Sequence, residues 1–577
     1  MCKEGINFAQ NLLNCAVDKT KSLNSYIENS IVDNWDKDAF TDYKGKTLQF
    51  HDVARKIEKL HILFESCGIN KGDKIALCGR NSSHWGVAFL ATITYGAVAV
   101  PIQNEFTSEQ IHNIVNHSDA RLLFVGDIVA THVQAEAMPD IEGIIYIPDF
   151  SLINSRAEQL TYAREHLNEM FGKRYPKFYR KEHVHFYKEE DPEQLAMINY
   201  TSGTTGFSKG VMLPYRAIWS NIDHILSVMD GNVKTGSNIV CSLPMAHMYG
   251  LAVDFLYGVI NGCHLYFLTR LPSPTLIAEA FASVKPRLIS LVPLVVEKII
   301  RKKIFPITQT NRMRLLLNTP VVNKRIKQKI REQVMTVFGG EVYEIIVGGA
   351  PLNKRIENFL RSIDFPVTIA YGLTETAPLI TLSDHTQYLP CSCGTVVKHM
   401  EVKVESPDPS NIEGELLTRG MNVMKGYYKN EEATAKVIDE HGWLHTGDSA
   451  TISEDGHIYI KGRIKNMLLG ANGQNVYPEE IEDKLNSMPM VGECLLVQRG
   501  DKLVALVYPD VEETSEIGLD ENDIENVMEQ NRLSINETLP SFSRISRIEI
   551  QKEEFKKTPK KSIKRYLYKE SALAQNE

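Results

Sequence analysis

The sequence predicts an α/β protein: a large layered N-terminal domain with doubly wound sheets and a β-rich part, plus a small mobile α+β C-terminal domain. Three observations carry this. Apolar strands alternate with amphipathic helices from Asp52 onward, the texture changes beyond Gly394 to short β-like runs and turns, and a compact tail follows Gly462-Arg463-Ile464-Lys465. A glycine beside charged residues between two apolar blocks suits a hinge, so the division is set at 1–464 and 465–577. At 577 residues the chain is too long for one core.

The elements follow in order. Val53, Ile57, Leu60, Leu63, Phe64 and Cys67 fall on one helical stripe, and Gly68 suits its C-terminal cap. A strand is expected over Lys74 to Cys78, an apolar helix over Trp85 to Tyr95 and a further strand over Ala97 to Pro101. Next come a helix from Ser108 to Asn116 and a strand from Arg121 to Val125. After the loop at Thr201 to Lys209 the alternation resumes: strand Asn238 to Leu243, helix Leu251 to Val259, strand Cys263 to Leu268, helix Thr275 to Val284, strand Leu288 to Val292. Strands alternating with helices in this way imply parallel sheets. In the tail, helix Pro478 to Asn486 precedes strands Cys494 to Gln498 and Leu503 to Tyr508.

Composition narrows the function. Hydrophobic content of 43% and charged content of 24% are ordinary for a globular protein, and a net charge of −8 argues against general nucleic-acid binding. Nine scattered cysteines suit a reducing compartment, and the one-residue spacing of Cys391 and Cys393 is poor for zinc. No apolar run reaches a membrane span, and the start lacks a signal peptide's apolar stretch, so a cytoplasmic protein is expected, with peripheral membrane contact left open. The basic stretches Lys177 to Lys188 and Lys324 to Arg331 read as solvated faces.

The most informative segment is Tyr200-Thr201-Ser202-Gly203-Thr204-Thr205-Gly206-Phe207-Ser208-Lys209-Gly210. Glycines let backbone N–H groups approach an anion, hydroxyls add donors and Lys209 adds charge, which makes a phosphate cradle. It is not a Walker A loop, because Ser208 stands where that motif has its second glycine. Further segments are Val347-Gly348-Gly349-Ala350-Pro351-Leu352, Tyr371-Gly372-Leu373-Thr374-Glu375-Thr376 and Gly442-Trp443-Leu444-His445-Thr446-Gly447-Asp448. The hinge leads into the loop Gly470 to Asn475, and Leu243 to Gly250 carries His247.

Together, and in this order, these segments resemble the adenylate-forming superfamily of acyl-CoA synthetases, luciferase and peptide-synthetase adenylation domains, and are most similar to bacterial long-chain fatty-acid–CoA ligases. The resemblance implies an enzyme, an AMP-forming acid–thiol ligase. Fatty acid and Mg-ATP give an acyl-adenylate and pyrophosphate, and coenzyme A then displaces AMP. It further implies that Thr201, Ser202, Gly203, Thr204, Thr205 and Lys209 hold phosphates and that Gly349, Ala350 and Pro351 form a wall of the adenine and acyl sites. Tyr371 and Gly372 lie over adenine, Thr374 contacts the α-phosphate and Glu375 is the Mg2+ ligand. Asp448 chelates the ribose hydroxyls, Arg463 reaches ribose or phosphate, Lys465 is the pivot, and His247 gates the acyl site by bulk. The relatives' Thr-x-x-Gly-Lys-x-x-Arg ending is here Thr558 to Arg565, with Ser562 at the lysine position. Lys564 or Lys561 is left to supply that charge. No carrier domain is expected after Arg565. An acyl–carrier-protein ligase, an aromatic-acid–CoA ligase and a nucleotide- or acyl-binding pseudoenzyme remain as alternatives.

Overall fold

The structure is a computed structural model, and it describes residues 22–188, 191–201, 209–270, 272–308, 320–469, 475–500, 502–511, 514–515, 518, 520–557 and 563–568. The large region is layered on two sheets. One has seven strands in the order Val367–Ile369, Glu344–Val347, Leu288–Leu291, Asn238–Cys241, His264–Phe267, Asp38–Asp42 and Thr47–Gln49. The other has eight: Gly426–Tyr427, Lys209–Pro214, Leu195–Thr201, Val98–Ile102, Lys74–Cys78, Ala120–Val125, Gly143–Tyr146 and Leu152–Ser155.

Both sheets are parallel through their middle, as the alternation predicts, yet they finish in antiparallel strands. Thr47–Gln49 closes the seven-stranded sheet this way, and Leu152–Ser155 and the Lys209–Pro214 hairpin arm do so in the other. Short hairpin connections permit antiparallel pairing where a crossover helix would otherwise be required. The helices between strands are locally well specified. Gln49 and Asp52 form a capping box at the start of Phe50–Ser66, and Ser82 accepts from the Trp85 amide at the start of Ser83–Tyr95. Ser83–Tyr95 is buried nearly all round, which fits its place between the sheets.

Where a plain helix was expected over Leu251 to Val259, the chain makes a π-helical turn over Gly250–Leu256 and becomes α-helical only at Tyr257–Ile260. A Cβ on Gly250 would lie 2.8 Å from the Pro244 carbonyl oxygen, so the turn tucks against the preceding segment at a distance only glycine permits.

The β-rich part is an antiparallel sheet of Met400–Glu405, Gly414–Gly420, Leu444–Ile452 and Ile458–Arg463. The tail builds a separate cluster of buried side chains between Pro478–Asn486, Glu521–Thr538 and a sheet of Val491–Arg499, Lys502–Pro509 and Ile545–Ile550. The segment read from sequence as a loop-like hinge is more ordered than that. Gly462 and Arg463 end the strand Ile458–Arg463, and Lys465 sits exposed in a 3₁₀ turn, Ile464–Asn466. Among the described residues no helix is long and apolar enough to cross a membrane, and Cys67, Cys78, Cys241, Cys263, Cys391, Cys393 and Cys494 are free thiols.

Candidate active site

Strand Leu195–Thr201 and strand Lys209–Pro214 pair antiparallel with Thr201 opposite Lys209. The residues between them that were expected to form a phosphate loop, including Ser202, Gly203, Thr204 and Thr205, lie outside the described residues, as does Lys561. The pairing still brings Lys209 to the mouth of that loop. Its ammonium stands 4.6 Å from the centre of the Tyr427 ring, within range of a cation–π attraction. Tyr427 is held there because its own short strand pairs with Lys209–Pro214, with Tyr427 opposite Val211.

The Tyr427 hydroxyl donates to Glu375 Oε1 at 2.8 Å, and the Met424 amide donates to the Glu375 carbonyl at 2.9 Å. Burial, reinforced by the Glu375 carboxylate, pushes the Tyr427 hydroxyl well above its ordinary range, so it stays a proton donor. Thr374 and Glu375 lie in the turn Thr374–Thr376, which follows the two-residue strand Tyr371–Gly372. Two buried asparagines fix this turn to the large domain. Asn221 donates to the Thr376 carbonyl at 3.0 Å and accepts from the Leu379 amide at 3.0 Å, while Asn422 donates to the Leu379 carbonyl at 2.7 Å. Gly372 is obligatory for the return of the chain, since a Cβ there would lie 1.8 Å from the Pro378 carbonyl oxygen.

A second group forms on the same segment of chain. The Tyr371 hydroxyl donates to Asp448 Oδ2 at 2.6 Å, and Arg463 Nε reaches Asp448 Oδ1 at 2.7 Å. The register of the four-stranded sheet places Asp448 opposite Arg463, so backbone pairing sets this contact. The Asp448 side chain is 4% exposed and that of Arg463 41%. Burial raises the Asp448 carboxyl, while Arg463 and Tyr371 pull it down. Each Asp448 oxygen is engaged once and keeps acceptor capacity for a hydroxyl.

Gly348 packs under the Tyr249 ring, whose carbons lie 3.2 Å from where a Cβ would stand, and Tyr249 donates to the Ile346 carbonyl at 2.8 Å. Gly349 takes φ +88° and, with Ala350 and Pro351, is exposed. Directly after them Asn353 caps the helix Lys354–Ser362 and donates to Asp483 Oδ1 at 3.1 Å and to the Ser487 hydroxyl, which ties this wall to the tail's helix Pro478–Asn486. His247 is half-buried with Nδ1 3.4 Å from Gln103 Nε2. The backbone around it is fixed by Asn81, which accepts from the Met245 amide at 2.8 Å, and by Asn199, which donates to the Ala246 carbonyl at 2.9 Å.

Lys564 is the exception. Its amide donates to the Lys556 carbonyl at 2.9 Å and its neighbour Arg565 is paired with Glu482 inside the tail, with Nη1 to Oε1 at 2.8 Å. Its ammonium makes no hydrogen bond or ion pair among the described residues, so this arrangement does not bring Lys564 to Glu375 or Asp448. Lys465 is exposed in the turn beyond Arg463, and its charge joins that of Arg463 and the Tyr371 hydrogen bond in pulling the Asp448 carboxyl down. Tyr427 and Asn353 were not singled out from sequence. Tyr427 carried a weak signal as an aromatic in Gly426-Tyr427-Tyr428-Lys429, and Asn353 an N-cap signal ahead of an amphipathic run.

Comparison with known proteins accords with this geometry. Residues 27–428 match the model of the AMP-binding enzyme family, and residues 465–571 match the AMP-binding enzyme C-terminal domain. A long-chain-fatty-acid–CoA ligase of Homo sapiens is 27% identical over 481 residues, covering 79% of this chain and 70% of that protein. A long-chain-fatty-acid–CoA ligase of Escherichia coli O157:H7 is 27% identical over 510 residues, 83% of each chain. Among solved structures, an anthranilate CoA ligase in complex with anthranoyl-AMP superimposes with a TM-score of 0.76 at 18% identity, over 95% of this chain and 96% of that one. With the family model spanning most of its length, this chain belongs to the AMP-binding enzyme family.

Proposed function

We propose that the protein is an ATP-dependent fatty-acid–CoA ligase that works through an acyl-adenylate. The observation that carries this is that the single segment Tyr371 to Thr376 is bonded into two charged groups, Lys209–Tyr427–Glu375 and Tyr371–Asp448–Arg463. The activity named for the relatives above supplies the acid and the thiol.

In the first half-reaction a carboxylate oxygen of the acid attacks the α-phosphorus of ATP, and the bond to the β-phosphate oxygen breaks to release pyrophosphate. Both partners are anions, so the site must neutralise charge and align them. Lys209 and the loop from Thr201 take the phosphates, Thr374 contacts the α-phosphate, and Asp448 accepts from the ribose hydroxyls through its remaining lone pairs. Arg463 holds Asp448 charged and oriented for that role. Tyr371 and Gly372, with Gly349, Ala350 and Pro351, form the two sides of an adenine slot, and His247 narrows the acyl entrance.

Glu375 fits a magnesium ion: it offers a hard oxygen, half-exposed, on the rim where the phosphates would lie. When bound, Mg2+ would neutralise phosphate charge there. In the second half-reaction the coenzyme A thiol attacks the acyl carbonyl carbon and AMP leaves with its phosphate oxygen. We assign residues 1–464 and 465–577 to two domains that rearrange between these steps around Lys465. Lys465→Pro, which fixes φ, is expected to keep acid-dependent pyrophosphate release while losing thioester formation. Equal loss of both would remove Lys465 as the pivot. The free thiols accord with a cytoplasmic setting.

The deciding experiment is pyrophosphate release with acids of graded chain length and with aromatic acids, followed by thioester formation with coenzyme A and carrier protein as competing acceptors. Turnover that rises with alkyl chain length and requires coenzyme A is expected. Preference for aromatic acids or for carrier protein would move the assignment to those ligases, and inactivity across the panel would make the chain a pseudoenzyme.

A further inference from the structure

Away from the adenylate site, the helix Phe50–Ser66 and the helices Glu158–Glu165 and Leu167–Arg174 enclose a cleft of about 380 Å³. Four cations, Arg55, Lys56, Lys59 and Arg164, line it against two carboxylates, Asp52 and Asp149. Both carboxylates are already committed. Asp52 accepts from the Gln49 amide at 3.2 Å and has Arg55 at 3.6 Å and His51 at 3.6 Å, and Asp149 accepts from the Ser151 amide at 2.9 Å.

The cations are held in place mostly by neutral groups. Arg164 donates to the carbonyls of Phe150 at 2.5 Å and Asp149 at 3.3 Å, and Lys59 donates to Asn168 Oδ1 at 2.7 Å. Those bonds orient the side chains without cancelling their charge. Lys56 makes no hydrogen bond or close ion pair among the described residues, although it is only partly exposed. Burial depresses its ammonium below the ordinary lysine range, against the pull of Asp52. Lys59 is depressed by burial too, and by repulsion from Lys56, Arg55 and Arg164. A solvated basic face would spread its charges into water. Here the four converge on a concavity in which Lys56 and Lys59 are desolvated and Lys59 is repelled by its neighbours, and an anion in the cleft would relieve both penalties.

We propose that this cleft is a second anion site, separate from the adenylate site, that binds a phosphoryl group. Two guanidiniums and two ammoniums outnumber the cleft's two carboxylates, and the forked donors of Arg55 and Arg164 match the several oxygens of a phosphate. Leu60, Phe150 and Leu167 give the cleft an apolar wall, so the phosphoryl group would be carried on a molecule with some apolar surface. Such a group comes either from a free phosphorylated small molecule or from an anionic lipid headgroup.

The test is calorimetric titration of the full chain with inorganic phosphate at low ionic strength, comparing Lys56→Gln, Arg164→Gln and, as a control, Lys436→Gln, whose lysine pairs with Glu432 on the surface at 2.6 Å. Because the two test residues stand on different helices, folding of either variant, checked by circular dichroism and retained pyrophosphate release, keeps the experiment decisive. Each cleft variant is expected to weaken one phosphate-binding event per chain by about tenfold, while Lys436→Gln and any phosphate bound at the adenylate site stay unchanged. Isotherms of both cleft variants identical to the wild type would overturn the proposal. A second arm measures co-sedimentation with phosphatidylcholine vesicles with and without phosphatidic acid. Binding that needs phosphatidic acid and is lost in the same variants assigns the headgroup source. Phosphate binding without vesicle binding assigns the free small molecule.

Discussion

Glu375→Gln is expected to lower acid-dependent pyrophosphate release by on the order of a hundredfold or more, the scale of removing one preorganised electrostatic group. The substitution isolates charge from packing. Glutamine keeps a carbonyl oxygen that can accept from the Tyr427 hydroxyl, now at 2.8 Å, and the Glu375 backbone remains tied to the Met424 amide. The turn Thr374–Thr376 should therefore hold, since its anchors are Asn221 and Asn422 and not the Glu375 side chain. What disappears is a negative oxygen that can help hold a hard cation against the phosphates. Steady-state pyrophosphate release across a magnesium titration measures it. A variant within a few-fold of the wild type at every magnesium concentration would take Glu375 out of the metal site.

Lys564→Ala is expected to separate the half-reactions by a similar factor: acid-dependent pyrophosphate release falls, while conversion of supplied acyl-adenylate and coenzyme A to thioester stays near normal. Only the first step brings a carboxylate against a phosphate, so only that step needs the extra cation. Lys564 is suited to this because its ammonium is unpaired among the described residues while Arg565 beside it is locked to Glu482, so the lysine moves as part of the tail. Its four-carbon stem covers a displacement of two residues from the position that Ser562 occupies. If Lys561→Ala gives this pattern and Lys564→Ala does not, the register shifts by three residues. If neither does, this enzyme runs adenylation without a C-terminal lysine.

Local sequence chemistry determined much of this protein. The strand Lys74–Cys78 and the helix Pro478–Asn486 have the bounds that apolar runs, a helix-starting proline and flanking turn residues dictate, because those signals act within a few residues. The Tyr371 to Thr376, Thr446 to Asp448 and Arg463 segments, whose contacts the structure describes, were legible for the same reason. Each carries its chemistry in residues adjacent along the chain.

Tertiary structure alone decided which of them meet. Tyr427 and Glu375 are 52 residues apart and Tyr371 and Asp448 are 77 apart, and no periodicity encodes such pairs. They form because strand Gly426–Tyr427 adds to the edge of the eight-stranded sheet and because sheet register sets Asp448 opposite Arg463. The π-helical turn at Gly250–Leu256 and the docking of Asn353 on Asp483 and Ser487 were hidden likewise. A one-residue change of helical pitch and a side-chain contact between distant segments are settled by close packing, which the sequence specifies only through the folded whole.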